Sequence, residues 1–203
     1  MTKNAITYLK KDIDMTQSKA EQLEALYAAH QDFTSSPLYI QGSTNIVFGE
    51  GNPNADLLFI GEAPGKEEDK QARPFVGRSG RLLNRALELS GLNREDVYIT
   101  NIVKCRPPNN RTPYPEEIKT GKETMLDEQI NIISPKLICT LGSASLKGIM
   151  QEPYKITKVR GTLLHYKGIP LLPTYHPAYV LRNQNEAHKF LEDIKRSTGA
   201  FHE

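Results

Sequence analysis

Apolar residues in this chain follow two rhythms. Short unbroken runs occur in "DLLFIG", "DVYITNIV" and "PKLICTLG", and such runs read as parallel strands buried on both faces. "GTLLHYKGIPLLPTYHP" reads as a hairpin turned at Lys167 and Gly168, and a further short strand is expected around Ile46 to Phe48. The second rhythm is helical. Leu23, Leu26, Tyr27 and Ala28 share a face within residues 16–32, and Leu82, Leu83, Ala86 and Leu87 share another, stopped by Gly91. A helix from about Pro115 to Ile133 opens on Pro115, Glu116 and Glu117, a favourable first turn. "GSASLKGIM" reads as a short helix, and "NEAHKFLEDIKRS" as the last one.

Strands alternating with helices predict an α/β fold: a three-layer α/β/α sandwich around a mainly parallel central sheet of about four strands. Ligands of such sheets bind beyond the carboxyl ends of the strands. Three loops belong there: one after "DLLFI", which is long and polar, one after "VYITNIV", and one at "TYHPAYVLRN".

Charge and cysteine content narrow the setting. A formal net charge of +2 over 203 residues implies no global attraction to nucleic acid, although local basic patches remain open. No apolar run approaches a membrane span and the N-terminus lacks a signal-like core, so a cytoplasmic protein is expected. Cys105 and Cys139 form neither a CxxC nor a disulfide framework, which suits a reducing compartment.

The first loop opens with "GEAPG", whose glycines let backbone amides approach a ligand closely; it matches neither a P-loop nor a dinucleotide fingerprint. Glu62 is its charged group nearest the strand. Phe75, in "RPFVGRSG", can stack on a base or simply fill the core. In the second loop, Asn101 can both donate to and accept from a nucleobase edge, or form a turn. Lys104, Arg106 and Arg111 surround prolines there and suit phosphate contacts. The third loop offers His176, fixed by Pro177, with Leu181 as an apolar wedge and Arg182 as a phosphate contact.

Taken together, "VFGEGNPNADLLFIGEAPGKEED", "RPFVGRSGRLLNRAL", "YITNIVKCRPPNNRTPYPEEI" and "YHPAYVLR" resemble the family-four type of uracil-DNA glycosylase. The resemblance runs from about Ser36 to the last helix, dividing the chain into residues 1–35, an N-terminal extension and helix, and residues 36–203, the glycosylase-like domain. It implies a DNA repair enzyme that flips uracil out of single- or double-stranded DNA and hydrolyses its N-glycosidic bond. His176 would hydrogen-bond the uracil oxygen that gains charge, Asn101 would read the base edge, and Phe75 would stack on the ring. The backbone around Gly61, Ala63 and Gly65 would hold the base. In the best-known branch of the superfamily, the Ala63 position is a water-activating aspartate and the Gly65 position a tyrosine that excludes thymine. Glu62 is then the carboxylate expected to serve water or the sugar charge. A covalent route used by one branch needs a histidine absent from "CRPPNNRTP".

Members of that family commonly carry a four-iron, four-sulfur cluster on four cysteines. Here the matching positions are Phe33, Ser36, Cys105 and Gly121, so three of four cannot supply a thiolate, and neither a cluster nor another metal is expected. Cys105 becomes a leftover, Phe33 fills space, and Cys139 is a core residue. The competing readings are a catalytically silent DNA-binding homologue and an enzyme of free nucleotides; the intact set of Glu62, Phe75, Asn101 and His176 favours the glycosylase. With no duplicated half, a monomer is the default.

Overall fold

The computed structural model describes residues 17–30 and 32–199. The role left open for residues 1–15 falls outside them. Helix α1 (Lys19–Ala28) is capped by Ser18, whose hydroxyl accepts from the Glu21 amide while the Glu21 carboxylate accepts from Ser18 in return. It lies on the domain, with Leu23 in the core and Lys19 Nζ donating to the Ile133 carbonyl at 2.7 Å.

Six strands form one sheet in the order β1-β3-β2-β4-β6-β5. Strands β2 (Leu57–Gly61), β3 (Tyr98–Asn101), β4 (Leu137–Leu141) and β6 (Ile169–Thr174) are the four parallel ones. β2 and β4 are buried at every position, as their unbroken apolar runs require. The two further strands are antiparallel edges: β1 (Glu50–Gly51) beside β3, and β5 (Leu164–Tyr166) beside β6. The hairpin turns where expected, with positive φ at both Lys167 and Gly168. The strand expected at Ile46 to Phe48 instead falls at Glu50–Gly51. Val47 makes one ladder-like bond to the Lys104 carbonyl before Gly49, at φ +136°, turns the chain away.

Two of the loops at the carboxyl ends of the strands hold short helices that the apolar pattern did not reveal: α2 (Lys66–Gln71) after β2, and α8 (Pro177–Arg182) after β6. Between them run α3 (Arg78–Glu88), α4 (Pro115–Gly121), α5 (Asp127–Ile133), α6 (Ser143–Met150) and α7 (Ile156–Val159), and the chain ends in α9 (Ala187–Gly199). The single helix expected over 115–133 is continuous but contains a wide π-turn at Lys122–Leu126.

One core cluster joins Phe59, Leu83, Leu87, Ile99 and Phe190; the other joins Leu58, Ile60, Leu126, Ile138 and Leu146. Each such fully buried side chain contributes roughly 1.5–3 kcal/mol of transfer free energy. Cys139 sits in the first cluster, a core residue as its place in an apolar run predicts.

The chain crosses from β2 to β3 on one side and then to β4 on the other, so the topological switch lies at the end of β2. The register sets Gly61 directly beside Asn101 there. His176 follows two residues after β6.

Candidate active site

A cleft of about 590 Å³ opens at that switch point. Glu62, Ala63, Gly65, Phe75, Asn101 and His176 line it, bringing together most of the residues that sequence placed there. Gly61 lies against two of these side chains: a Cβ on it would collide with Asn101 Oδ1 and come within 2.6 Å of Phe75 Cζ. Only a glycine lets the amide and the ring close over the strand end.

Asn101 is buried, and its Oδ1 has no hydrogen-bond partner. A buried, unpaired acceptor costs free energy of about 1–3 kcal/mol unless something supplies a donor. Phe75 is also buried, with φ +50°, and its ring lies 5.7 Å from that of His176. Phe75 belongs to the core and also lines the cleft.

His176 is the N-cap of α8, its Nδ1 accepting from the Ala178 amide at 3.0 Å. That bond leaves the proton on Nε2, which is free to donate. The residue is half-buried and borders the cleft. Burial, followed by the Arg182 charge, pushes its pKa down to about 4, against a small opposing pull from Glu68. The group is therefore a neutral hydrogen-bond donor at physiological pH.

The Glu62 carboxylate has no hydrogen-bond or ion-pair partner among the described residues, and desolvation raises its pKa above the ordinary value. Glu68, which sequence reasoning passed over, accepts from the Val76 and Gly77 amides at 2.9 and 2.8 Å. Its other oxygen lies 2.8 Å from where a Cβ on Gly65 would be, so a carboxylate stands over the position that lacks a bulky side chain.

The expected phosphate contacts divide. Lys104 does not reach the surface: it is buried, donating to Thr100 Oγ1 at 2.7 Å and Gln129 Oε1 at 2.6 Å. Desolvation drives its pKa well below the ordinary lysine value. A lysine one residue from a strand-end loop looks basic in sequence, but this one points inward to tie that loop to β3, and it is withdrawn as a DNA contact. Arg106 donates to Asn110 Oδ1 at 2.7 Å. Arg111 is held by both oxygens of Glu117 and lies 3.8 Å over the Tyr114 ring. Arg182 is exposed at the cleft rim, and Tyr179 lines the cleft on the same helix, whereas Leu181 is half-buried and does not line it. Lys66 and Arg78 also border the cleft with no ion pair among the described residues. Their signal in sequence was adjacency to glycine at helix starts, which carries no information about direction.

The four positions matching cluster ligands do not fit an iron-sulfur cluster. Only Cys105 brings sulfur; it is buried, and desolvation pushes its thiol up to about 11, against hydrogen bonds from Ser43 and Ile40. Gly121 packs on the loop that leaves β3, where a Cβ would strike the Ile102 carbonyl and stand 3.3 Å from Val103 Cα. No group of three or more His, Cys, Asp or Glu that could hold a metal occurs among the described residues. The space-filling role expected of Phe33 concerns a side chain outside the described ones.

The sheet is mixed, and the cleft at its switch point is walled by an aromatic ring, an amide and a neutral histidine, groups that can stack on and hydrogen-bond a planar polar ring. The profile of the Uracil DNA glycosylase superfamily matches residues 48–196. The chain is 46% identical over 184 residues to a type-4 uracil-DNA glycosylase of Thermotoga maritima, spanning 89% of this chain and 95% of that protein. It is 51% identical over 165 residues to one from Sulfurisphaera tokodaii, spanning 77% and 74%. A type-5 uracil-DNA glycosylase of Thermus thermophilus is 36% identical over 148 residues, 63% of this chain and 67% of that protein. The chain belongs to the uracil-DNA glycosylase superfamily, and within it to the family-four type.

Proposed function

We infer that this protein is a monofunctional uracil-DNA glycosylase that flips uracil from DNA, hydrolyses its N-glycosidic bond and leaves an abasic site. The observation that carries the reading is the unpartnered Oδ1 of buried Asn101, which stands beside Gly61 at the strand end. Uracil presents an N3–H donor beside the O4 acceptor, which an amide satisfies with its oxygen and its NH₂ together. Cytosine presents an acceptor at N3 and a donor at C4, so the same amide opposes it at both points.

In this reading the base leaves the stack, because its glycosidic bond is unreachable inside a duplex. Phe75 stacks on it and backbone amides of "GEAPG" hold its edge. The C1′–N1 bond breaks with its electron pair passing to uracil, and the negative charge at O2 meets the Nε2–H of His176. Water adds to C1′ and gives up a proton, with Glu62 the carboxylate beside it. Arg182, together with Lys66 and Arg78, offers cations to the phosphates; Arg111 does so only by sharing Glu117. Leu181 as a wedge, a monomeric state, a cytoplasmic setting and action on single or double strands belong to this same proposal. No helix among the described residues is long and apolar enough to cross a membrane.

We also propose that the enzyme works without an iron-sulfur cluster, its loops held by packing around Cys105, Leu38, Ile40 and Met125. Uracil release from an oligonucleotide, with iron assayed on the same purified sample, tests both. Release without iron is expected. Stoichiometric iron would overturn the cluster-free proposal, and salt-sensitive DNA binding without release would replace the glycosylase by the silent homologue.

The pH profile separates the two ionisable groups. His176 stays neutral down to about pH 4 and contributes no limb above that. Glu62 acts as a carboxylate and its pKa is raised, so kcat/KM is expected to fall as pH drops through that raised value. Glu62→Gln should flatten the acid limb while lowering the plateau. An unchanged limb in that variant would remove Glu62 from the mechanism.

A further inference from the structure

We propose that Arg94, which lies outside the cleft, positions Phe75 for stacking on the extruded base by gripping the backbone behind it. Nothing in the composition of the cleft points to this residue. Its guanidinium donates from Nη2 to the Pro74 carbonyl at 2.5 Å and from Nη1 to the Phe75 carbonyl at 3.2 Å. Two consecutive carbonyls on one planar fork fix the direction of the peptide between them.

The fork is itself held. Nη1 also donates to Asn84 Oδ1 on α3 at 2.8 Å, and Nε donates to Glu50 Oε1 on β1 at 2.8 Å. Burial works against the Glu50 carboxylate, but hydrogen bonds from Arg73 and Arg94 keep its pKa below the ordinary value, so its charge persists.

Such a grip has a use because Phe75 adopts a conformation it would not keep alone. At φ +50° a phenylalanine is in the left-handed region, which side chains with a Cβ avoid. Its carbonyl also abuts the first turn of α3, where a Cβ on Gly80 would overlap it. On the other side of the loop, Glu68 accepts from the next two amides. The ring that must lie flat on uracil therefore stands on a strained residue, clamped by Arg94 through its carbonyls and by Glu68 through the amides that follow. Arg94 is a positioning residue and touches no substrate.

The proposal rests on the stacking role given to Phe75 above, and a double-mutant cycle keeps the two apart. The proteins are wild type, Phe75→Ala, Arg94→Met and the double variant, with Arg94→Lys beside them. The readouts are kcat/KM on a uracil oligonucleotide, inhibition by free uracil, and the melting temperature. Arg94→Met is expected to lower kcat/KM by roughly ten- to a hundredfold through misplacement of the ring. Free-uracil affinity should weaken with it, and Arg94→Lys should recover part of the loss. In the Phe75→Ala background the same change should cost less than about twofold in kcat/KM, while the losses in melting temperature still add.

Equal activity losses in both backgrounds would overturn the proposal, as would a fully active Arg94→Met. A fully active Phe75→Ala would instead remove the stacking role, and the proposal with it. If Arg94→Met does not fold, the cycle is run with Arg94→Lys, whose single ammonium cannot hold both carbonyls in the planar fork, and the same outcomes decide.

Discussion

Replacing His176 by alanine is expected to lower kcat by roughly a hundred- to a thousandfold, the loss typical of one preorganised donor at a developing anion. The reason is in its environment. A charged imidazolium would also stabilise uracil's departing charge, but burial and Arg182 hold the pKa to about 4, so the donor is neutral. Its contribution then comes from direction, which the Ala178 amide fixes by occupying Nδ1 at 3.0 Å. Because the side chain is also an N-cap, alanine removes a structural bond worth about 1 kcal/mol as well. His176→Asn tests the catalytic part, since asparagine is a good N-cap acceptor and does not carry an imidazole Nε2–H to the same point. Single-turnover rates and melting temperatures of both variants are the measurement. If the asparagine variant melts like wild type and loses a comparable factor in rate, the donor role stands; near-normal turnover in either variant would sink it.

Asn101→Ala is expected to have the second large effect, about a hundredfold or more in kcat/KM, because a site built around paired polar contacts loses both at once. The cavity left under Gly61 is apolar on the Phe75 side and offers uracil no replacement donor. The loss should appear in free-uracil inhibition as well as in turnover, which separates base recognition from chemistry. Stability is expected to move little or to rise, since the variant removes an acceptor that is buried without a partner. A variant that binds free uracil normally would remove Asn101 from the recognition step.

Much of the site was legible in sequence because strand ends are. An unbroken apolar run closed by a glycine or asparagine fixes where the backbone leaves the sheet, and thus where Gly61, Asn101 and His176 converge. What escaped was direction and partnership. Lys104 and Arg111 look alike in a basic loop, yet one is buried against Gln129 and the other is paired with Glu117. Glu68 and Arg94 were missed because their roles depend on backbone groups of residues 74–77, and a carbonyl or amide leaves no mark in the sequence. Helix α2 is wholly polar and α8 is only six residues long, so no periodicity announced either. The edge strand β1 is only Glu50–Gly51, too short to alternate.

The packing of Gly121 onto the Ile102 carbonyl also bears on how such a protein can change over generations. Its helix lies so close to the loop leaving β3 that a single mutation to cysteine would bring a clash before it brought a ligand. On the cluster-free reading proposed above, a return to metal binding would need that helix to move before a side chain at position 121 could reach a metal. Relatives that branch from this chain should keep position 121 small and position 105 no larger than cysteine, because Cys105 is fully buried beside Leu38, Ile40 and Met125.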